Sequence, residues 1–143
     1  MPIQRKMKTQ KPKILYADDD KDSLDLISFL FQSEGFQVET CVSLEDCLLK
    51  MRQNQFDAII LDNRFGERTS PEICKEIRSF KPNTPIVFYI AEARQTEIDK
   101  ALNAGGNAYL IKPNGFENLT ETVNKLIQEN GGVHRARNRQ QQV

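Results

Sequence analysis

Five short apolar runs alternate with stretches of helical periodicity, and this alternation limits the folds open to the chain more than any other feature. Lys13-Ile14-Leu15-Tyr16-Ala17 comes first and ends abruptly in Asp18-Asp19-Asp20. From Lys21 onward Leu24, Ile27, Leu30 and Phe31 recur at the spacing of an amphipathic helix, and Gly35 is placed to stop it. Phe36-Gln37-Val38-Glu39-Thr40 alternates as a half-exposed strand does, which suits a position near a sheet edge. Ser43, followed by the acid Asp46, marks a helix start for Leu44, Cys47, Leu48 and Met51. Asp57-Ala58-Ile59-Ile60-Leu61-Asp62 is the third run. Ser70-Pro71-Glu72 then supplies an N-cap with proline at the first helical position, leading Ile73, Ile77 and Phe80. Pro85-Ile86-Val87-Phe88-Tyr89-Ile90 is the fourth strand, and Glu97 to Ala104 is a helix closed by Gly105-Gly106. Ala108-Tyr109-Leu110-Ile111 is the fifth strand, and Leu119, Val123, Leu126 and Ile127 make the last helix before Gly131-Gly132.

Strands that alternate with helices over short connections are parallel neighbours joined by right-handed crossovers. The predicted class is therefore α/β, a doubly wound five-stranded parallel sheet with helices on both faces. The count suits the flavodoxin-like strand order 2-1-3-4-5, which sets the first and third strands side by side at the centre. The third run carries Ile59, Ile60 and Leu61 in succession, as a strand buried on both faces does. Ligands in such sheets bind beyond the carboxyl ends of the strands, where the strand order reverses, so Asp18, Asp19 and Asp62 are predicted to converge. Alone, Asp62 reads equally as a reactive carboxylate or as an Asp that caps the next turn. The convergence favours the first reading.

The chain has 143 residues, one domain's worth. The domain is expected over 11–130, with 1–10 a basic disordered tail and 131–143 a basic, polar disordered tail. No apolar run approaches the ~20 residues of a membrane span, and no apolar signal core follows Met1-Pro2-Ile3, so a cytoplasmic location and no membrane partner are expected. Cys41, Cys47 and Cys74 form no C-x-x-C pair and read as core thiols. His134 is the only histidine and lies in a polar stretch, which removes His-assisted nucleophiles and His-ligated metals. Arg5, Lys6, Lys8, Lys11 and Lys13 at one end and Arg135, Arg137 and Arg139 at the other leave twelve of the twenty basic residues to face all twenty acids. The basic ends are short and lack interleaved aromatics, so nucleic-acid binding is not expected.

Three carboxylates in one crevice repel, by about 4 kcal/mol for a pair ~4 Å apart at an effective dielectric near 20. A hard dication bound through oxygen fits an Asp cluster without His or Cys and points to Mg²⁺. Lys112, at the end of the fifth strand, can reach the same crevice. Together they bring the charge near zero, a condition in which Asp62 can accept a phosphoryl group.

These residues resemble the receiver domain of bacterial two-component response regulators. The motifs fall in order over about 11–130: Ile14-Leu15-Tyr16-Ala17-Asp18-Asp19-Asp20, Phe56-Asp57-Ala58-Ile59-Ile60-Leu61-Asp62, Pro85-Ile86-Val87-Phe88-Tyr89-Ile90-Ala91 and Gly105-Gly106-Asn107-Ala108-Tyr109-Leu110-Ile111-Lys112-Pro113. The resemblance implies a phosphoprotein of a phosphorelay, with Asp62 taking an aspartyl phosphate from a sensor histidine kinase, a phosphotransfer protein or acetyl phosphate. It implies that Asp19 holds Mg²⁺ directly, Asp18 through water, and the Arg64 backbone carbonyl beside Asp62. Lys112 would bind a phosphoryl oxygen, Pro113 would adopt a cis bond, and Tyr109 would be the aromatic that turns inward on activation. Ala91 is small, as access to the aspartate requires, and Glu92 flanks the site with Arg64.

The chain departs from the family where a Ser or Thr ends the fourth strand: Ile90 stands there. Tyr89 cannot replace the hydroxyl, because neighbouring strand residues face opposite ways. In the loop after Asp62 the usual proline and Asp-Gly pair give way to Gly66 and Thr69-Ser70. The leading expectation is a stand-alone phospho-accepting receiver, not an enzyme on other substrates, that signals by binding an unknown downstream protein through the face of helix four, strand five and helix five. The alternative is a receiver-like interaction module whose output depends weakly or not at all on phosphorylation. A haloacid-dehalogenase-type phosphatase would need a cap and a later acidic pair, and a flavodoxin would not place acids where its cofactor phosphate binds.

Overall fold

The computed structural model describes residues 11–62, 67–112 and 115–142, with side chains described through Asn130. Strands β1 (Lys13–Ala17), β2 (Gln37–Cys41), β3 (Ala58–Asp62), β4 (Ile86–Ile90) and β5 (Ala108–Ile111) pair in parallel in the order β2-β1-β3-β4-β5. They alternate with helices α1 (Lys21–Ser33), α2 (Leu44–Gln53), α3 (Ser70–Phe80), α4 (Gln95–Asn103) and α5 (Phe116–Gln142). This is the predicted flavodoxin-like order, with β1 and β3 adjacent and every residue of β3 buried. The sheet separates two apolar cores. Leu15, Ile59, Leu61, Phe88 and Ile90 pack with Cys47, Met51, Ile73, Cys74, Ile77 and Ala101 of α2 to α4. Ile14, Tyr16, Ile60, Val87 and Tyr89 pack with Leu24 and Phe31 of α1 and Leu119 and Val123 of α5. All three cysteines are free and buried, as predicted, and burial pushes the Cys74 thiol up to about 11.

Local chemistry sets the helix ends. Asp20 caps α1, accepting from the Asp22 amide and, at 2.8 Å, from the Ser23 hydroxyl. Gly35 follows with φ +94, where a side chain would be strained, and the Phe36 amide donates back to the Phe31 carbonyl at 3.1 Å. Ser43 accepts from the Asp46 amide at 3.1 Å and starts α2 as expected. At α3 the cap lies one residue earlier than predicted. Thr69 accepts from the Glu72 amide while the Glu72 carboxylate takes the Thr69 amide, a full capping box, and Ser70 is the first helical residue. A Thr with Glu at its N3 position satisfies two amides, whereas Ser70 is buried and turned toward α4.

Two further boundaries differ from the sequence reading. Helix α4 starts at Gln95 rather than Glu97, without a side-chain cap on Arg94. Helix α5 runs through Gly131-Gly132, where a stop was expected. Two glycines cost a helix about 2 kcal/mol, and the Arg, Ala and Gln residues that follow are good helix formers. The expected tail 1–10 lies outside the described residues, as do the side chains of 131–143.

The amino ends of β4 and β5 are tied by one guanidinium. Arg78 donates to the carbonyls of Lys81 at 2.8 Å, Thr84 at 2.7 Å and Gly105 at 2.7 Å, and to Asn107 Oδ1 at 2.8 Å. Asn107 Oδ1 also accepts the Ile86 amide at 2.9 Å. Gly105 has φ +119, and a Cβ there would lie 2.8 Å from the Arg78 stem, so glycine is required twice over. This clamp holds β4 and β5 in register, and through it the positions of Ile90 and Lys112 at the far ends of those strands.

Candidate functional site

Asp18 follows β1 and Asp62 ends β3, and both carboxylates are buried, at 0% and 1% exposure. Because Ala17 pairs with Leu61, the adjacent strands deliver them to one crevice at the carboxyl edge. The Asp18 carboxylate accepts the Asp20 amide at 3.0 Å, which fixes the turn into α1. Asp19 is exposed beside Ser43, Leu44, Glu45 and Arg68. Lys112 is set by its amide on the Ile90 carbonyl, 2.9 Å, and its ammonium lies 2.7 Å from Asp62 Oδ1. That contact is an ion pair without hydrogen-bond alignment. The Lys112 ammonium also lies over the Tyr89 ring, with Nζ 5.0 Å from the centroid. Burial raises the Tyr89 phenol's pKa, with Lys112 opposing the shift.

Tyr16 completes the site, and the sequence reading passed it over as part of an apolar run. Its side chain is fully buried and its hydroxyl donates to Asp62 Oδ2. Burial first, then the charge of Asp62 and its hydrogen bond, then Asp18, all raise the pKa of this phenol, which stays protonated. The signal was available: Tyr16 and Asp18 stand two apart in an extended segment, hence on one face, and a buried tyrosine hydroxyl needs a partner.

Ile90 and Tyr109 belong to the other face. Ile90 is buried among the residues of the α2 to α4 core, and Tyr109 packs against that core. The Tyr109 ring stacks on Phe88 with centroids 5.3 Å apart. Its hydroxyl donates to Glu97 Oε2 at 3.2 Å and lies 3.3 Å from Ser70 Oγ, which is itself 3.3 Å from the same carboxylate oxygen. The expectation that alternation turns Tyr89 away from the site does not hold: Tyr89 pairs with Asp62 and stands on its side of the sheet, and it is Ile90 that alternation sends to the other face. Ala91 and Glu92 are exposed after β4 and line a shallow pocket with Ala93, Arg94 and Ile111. Arg64 and Pro113, and with them the carbonyl ligand and the cis bond, lie outside the described residues, as does Gly66.

The donors present suit a hard cation. Asp18, Asp19 and Asp62 offer only oxygen, and Asp62 Oδ1 takes no aligned hydrogen bond. Among the described residues no three His, Cys, Asp or Glu side chains group so as to hold a metal ion, so the predicted meeting of Asp18, Asp19 and Asp62 as a cluster of three is not seen there.

The response regulator receiver domain family matches residues 14–124. The chain belongs to this family. Among curated relatives, this receiver is 33% identical over 117 residues to the transcriptional regulatory protein ZraR of Salmonella typhimurium, covering 82% of the chain and 26% of that protein. It is 27% identical over 114 residues to the response regulator SaeR of Staphylococcus aureus, covering 80% of the chain and 50% of that protein. The receiver thus spans a quarter to a half of the length of these relatives. Among solved structures, a two-component response regulator from Clostridium difficile superposes with a TM-score of 0.76 at 30% identity, covering 82% of this chain and 97% of that one. The receiver domain of the Francisella response regulator 1452 gives 0.76 at 27% identity, covering 83% and 98%. No helix among the described residues is long and apolar enough to cross a membrane.

Proposed function

We propose that Asp62 accepts a phosphoryl group from the phosphohistidine of a sensor kinase, from a phosphotransfer protein or from a small acyl phosphate, and that the modified receiver signals by binding a protein partner. The observation that carries this reading is the buried Asp62 carboxylate at the end of the central strand with Lys112 2.7 Å away. An oxygen of Asp62 attacks phosphorus, the bond from phosphorus to the donor nitrogen or acyl oxygen breaks, and the donor leaves with the electron pair. Lys112 is placed to follow a phosphoryl oxygen and offset the charge that Asp62 no longer carries. Receiver domains generally bind Mg²⁺ at the acidic phosphorylation site. Here Asp19, Asp62, the Arg64 carbonyl and, through water, Asp18 would hold it. Such an ion neutralises the crowded oxygens and orients the phosphoryl group. The chemistry is confined to the chain's own aspartate.

Incubation with acetyl phosphate and Mg²⁺ should add one phosphoryl mass to the intact chain and none to Asp62→Asn. Equal gain by both chains would move the acceptor elsewhere.

A second reading, in which modification changes the output only weakly, is favoured by one observation. Ile90 ends β4, where the family carries a hydroxyl, as an apolar side chain buried in the α2 to α4 core, while Tyr109 is already held by Glu97 and Ser70.

A further inference from the structure

We propose that Tyr16 is a positioning residue that masks the acceptor: its hydroxyl occupies Asp62 Oδ2 and keeps the unmodified receiver slow to take a phosphoryl group. The inference rests on Asp62 being the acceptor. Both carboxylate oxygens are engaged by the chain itself, Oδ1 by the Lys112 ammonium at 2.7 Å and Oδ2 by the Tyr16 hydroxyl. The two contacts differ in what becomes of them. Lys112 is partly exposed at the crevice wall, on a long stem, and can swing from Asp62 to an incoming phosphoryl oxygen. Tyr16 cannot swing. It is fully buried, its ring lies 6.3 Å from Phe31 in the α1 and α5 core, and its strand is paired on both sides by β2 and β3. Its hydroxyl is therefore aimed at Asp62 in the starting state and stays there.

A fixed donor stabilises the starting carboxylate more than the product. Hydrogen bonds to an ionised oxygen are roughly twice as strong as those to a neutral one, and phosphorylation turns the Asp62 carboxylate into an acyl phosphate, in which the oxygen not bonded to phosphorus is a neutral carbonyl. Each transfer therefore gives up part of the bond, and an interaction stronger in the ground state than along the reaction path slows the reaction. The same bond draws on a lone pair that a cation would otherwise use.

The test compares the natural chain with Tyr16→Phe, which keeps the ring and its packing. Each is phosphorylated with acetyl phosphate and Mg²⁺ over a range of donor concentrations and followed by intact mass. The variant should be modified about 10-fold faster at saturating donor, the difference between a charge-assisted and a neutral hydrogen bond, with the half-saturating donor concentration unchanged. An equal or slower rate overturns the proposal, since a tyrosine that serves only packing or orients Asp62 productively gives those results. If neither chain is modified, the acceptor reading fails. The inference about Tyr16 is then decided by Mg²⁺ titration of amide shifts, which should show tighter binding in Tyr16→Phe, and equal affinity overturns it. Should the variant not fold, the hydroxyl-bearing ring carbon of Tyr16 in the isotope-labelled natural chain decides: it should shift on adding Mg²⁺ and beryllofluoride, and an unmoved signal overturns the masking contact.

Discussion

Replacing Ile90 by Thr should turn a weak response to phosphorylation into a strong one, and the structure sets the size of the effect. Inward rotation of Tyr109 must break its contacts at 3.2 Å to Glu97 and 3.3 Å to Ser70. Two partly exposed neutral or singly charged hydrogen bonds hold it by about 1–3 kcal/mol. A hydroxyl at position 90 that bonds a phosphoryl oxygen supplies about 1.5–3 kcal/mol in the modified state alone. The two terms are of one size, so without the hydroxyl the Tyr109 contacts prevail, and with it the balance tips. The coupling between modification and Tyr109 position should rise ~10- to 150-fold in Ile90→Thr. The substitution carries a cost of about 1–3 kcal/mol, because Ile90 is buried in an apolar core and the new hydroxyl is satisfied only when phosphate is present. The assay is the amide spectrum of both chains with Mg²⁺ and beryllofluoride, read through α4 and at Tyr109, with urea unfolding alongside. A natural chain that already shifts fully would refute the reasoning, and so would a variant that loses stability but gains no shift.

Arg78→Lys keeps the charge but cannot reach three carbonyls and Asn107 at once, so unfolding in urea should show a loss of about 2–4 kcal/mol, and a loss under about 1 would show the clamp to be incidental. Lys112→Ala should slow phosphorylation by acetyl phosphate ~100-fold without moving the site, as removal of one preorganised charge partner does, and an unchanged rate would remove Lys112 from the chemistry. The Glu72 carboxyl is held below its usual 4.5 by the Thr69 hydroxyl and amide, so its contribution is present above that value and is lost as pH falls through the lowered native one. Thermal unfolding between neutral and acid pH should therefore lose part of its slope in Thr69→Ala, and identical slopes would show that the capping box does not couple to pH.

The sheet was legible because strand periodicity and helix periodicity alternate without ambiguity, and one right-handed topology accommodates that pattern. β3 is the clearest case: three aliphatics buried on both faces, then an acid. That Asp62 and Lys112 meet followed from topology, since strand ends converge. The errors were local. Thr69 and Ser70 are both competent caps, and only the reciprocal bond with Glu72 separates them. Tyr16 escaped notice because an aromatic in a strand reads as core, and its hydroxyl acquires meaning only when the neighbouring strand brings Asp62 to it. Arg78 escaped because its partners come from two connections, 81–85 and 104–107, that no periodicity predicts. The contact of Tyr109 with Glu97 and Ser70 joins two helices and a strand in the same way.

The central claim is that one carboxylate, Asp62, is the acceptor, and its most direct test uses the reactivity of the product. Borohydride reduces an acyl phosphate to the alcohol, so the chain treated with acetyl phosphate and Mg²⁺, then reduced and digested, carries homoserine where the phosphoryl group sat. The account predicts homoserine at position 62 and aspartate unchanged at 18, 19 and 20. Homoserine at any of those three, or a phosphoryl group that survives reduction on a hydroxyl, would contradict it.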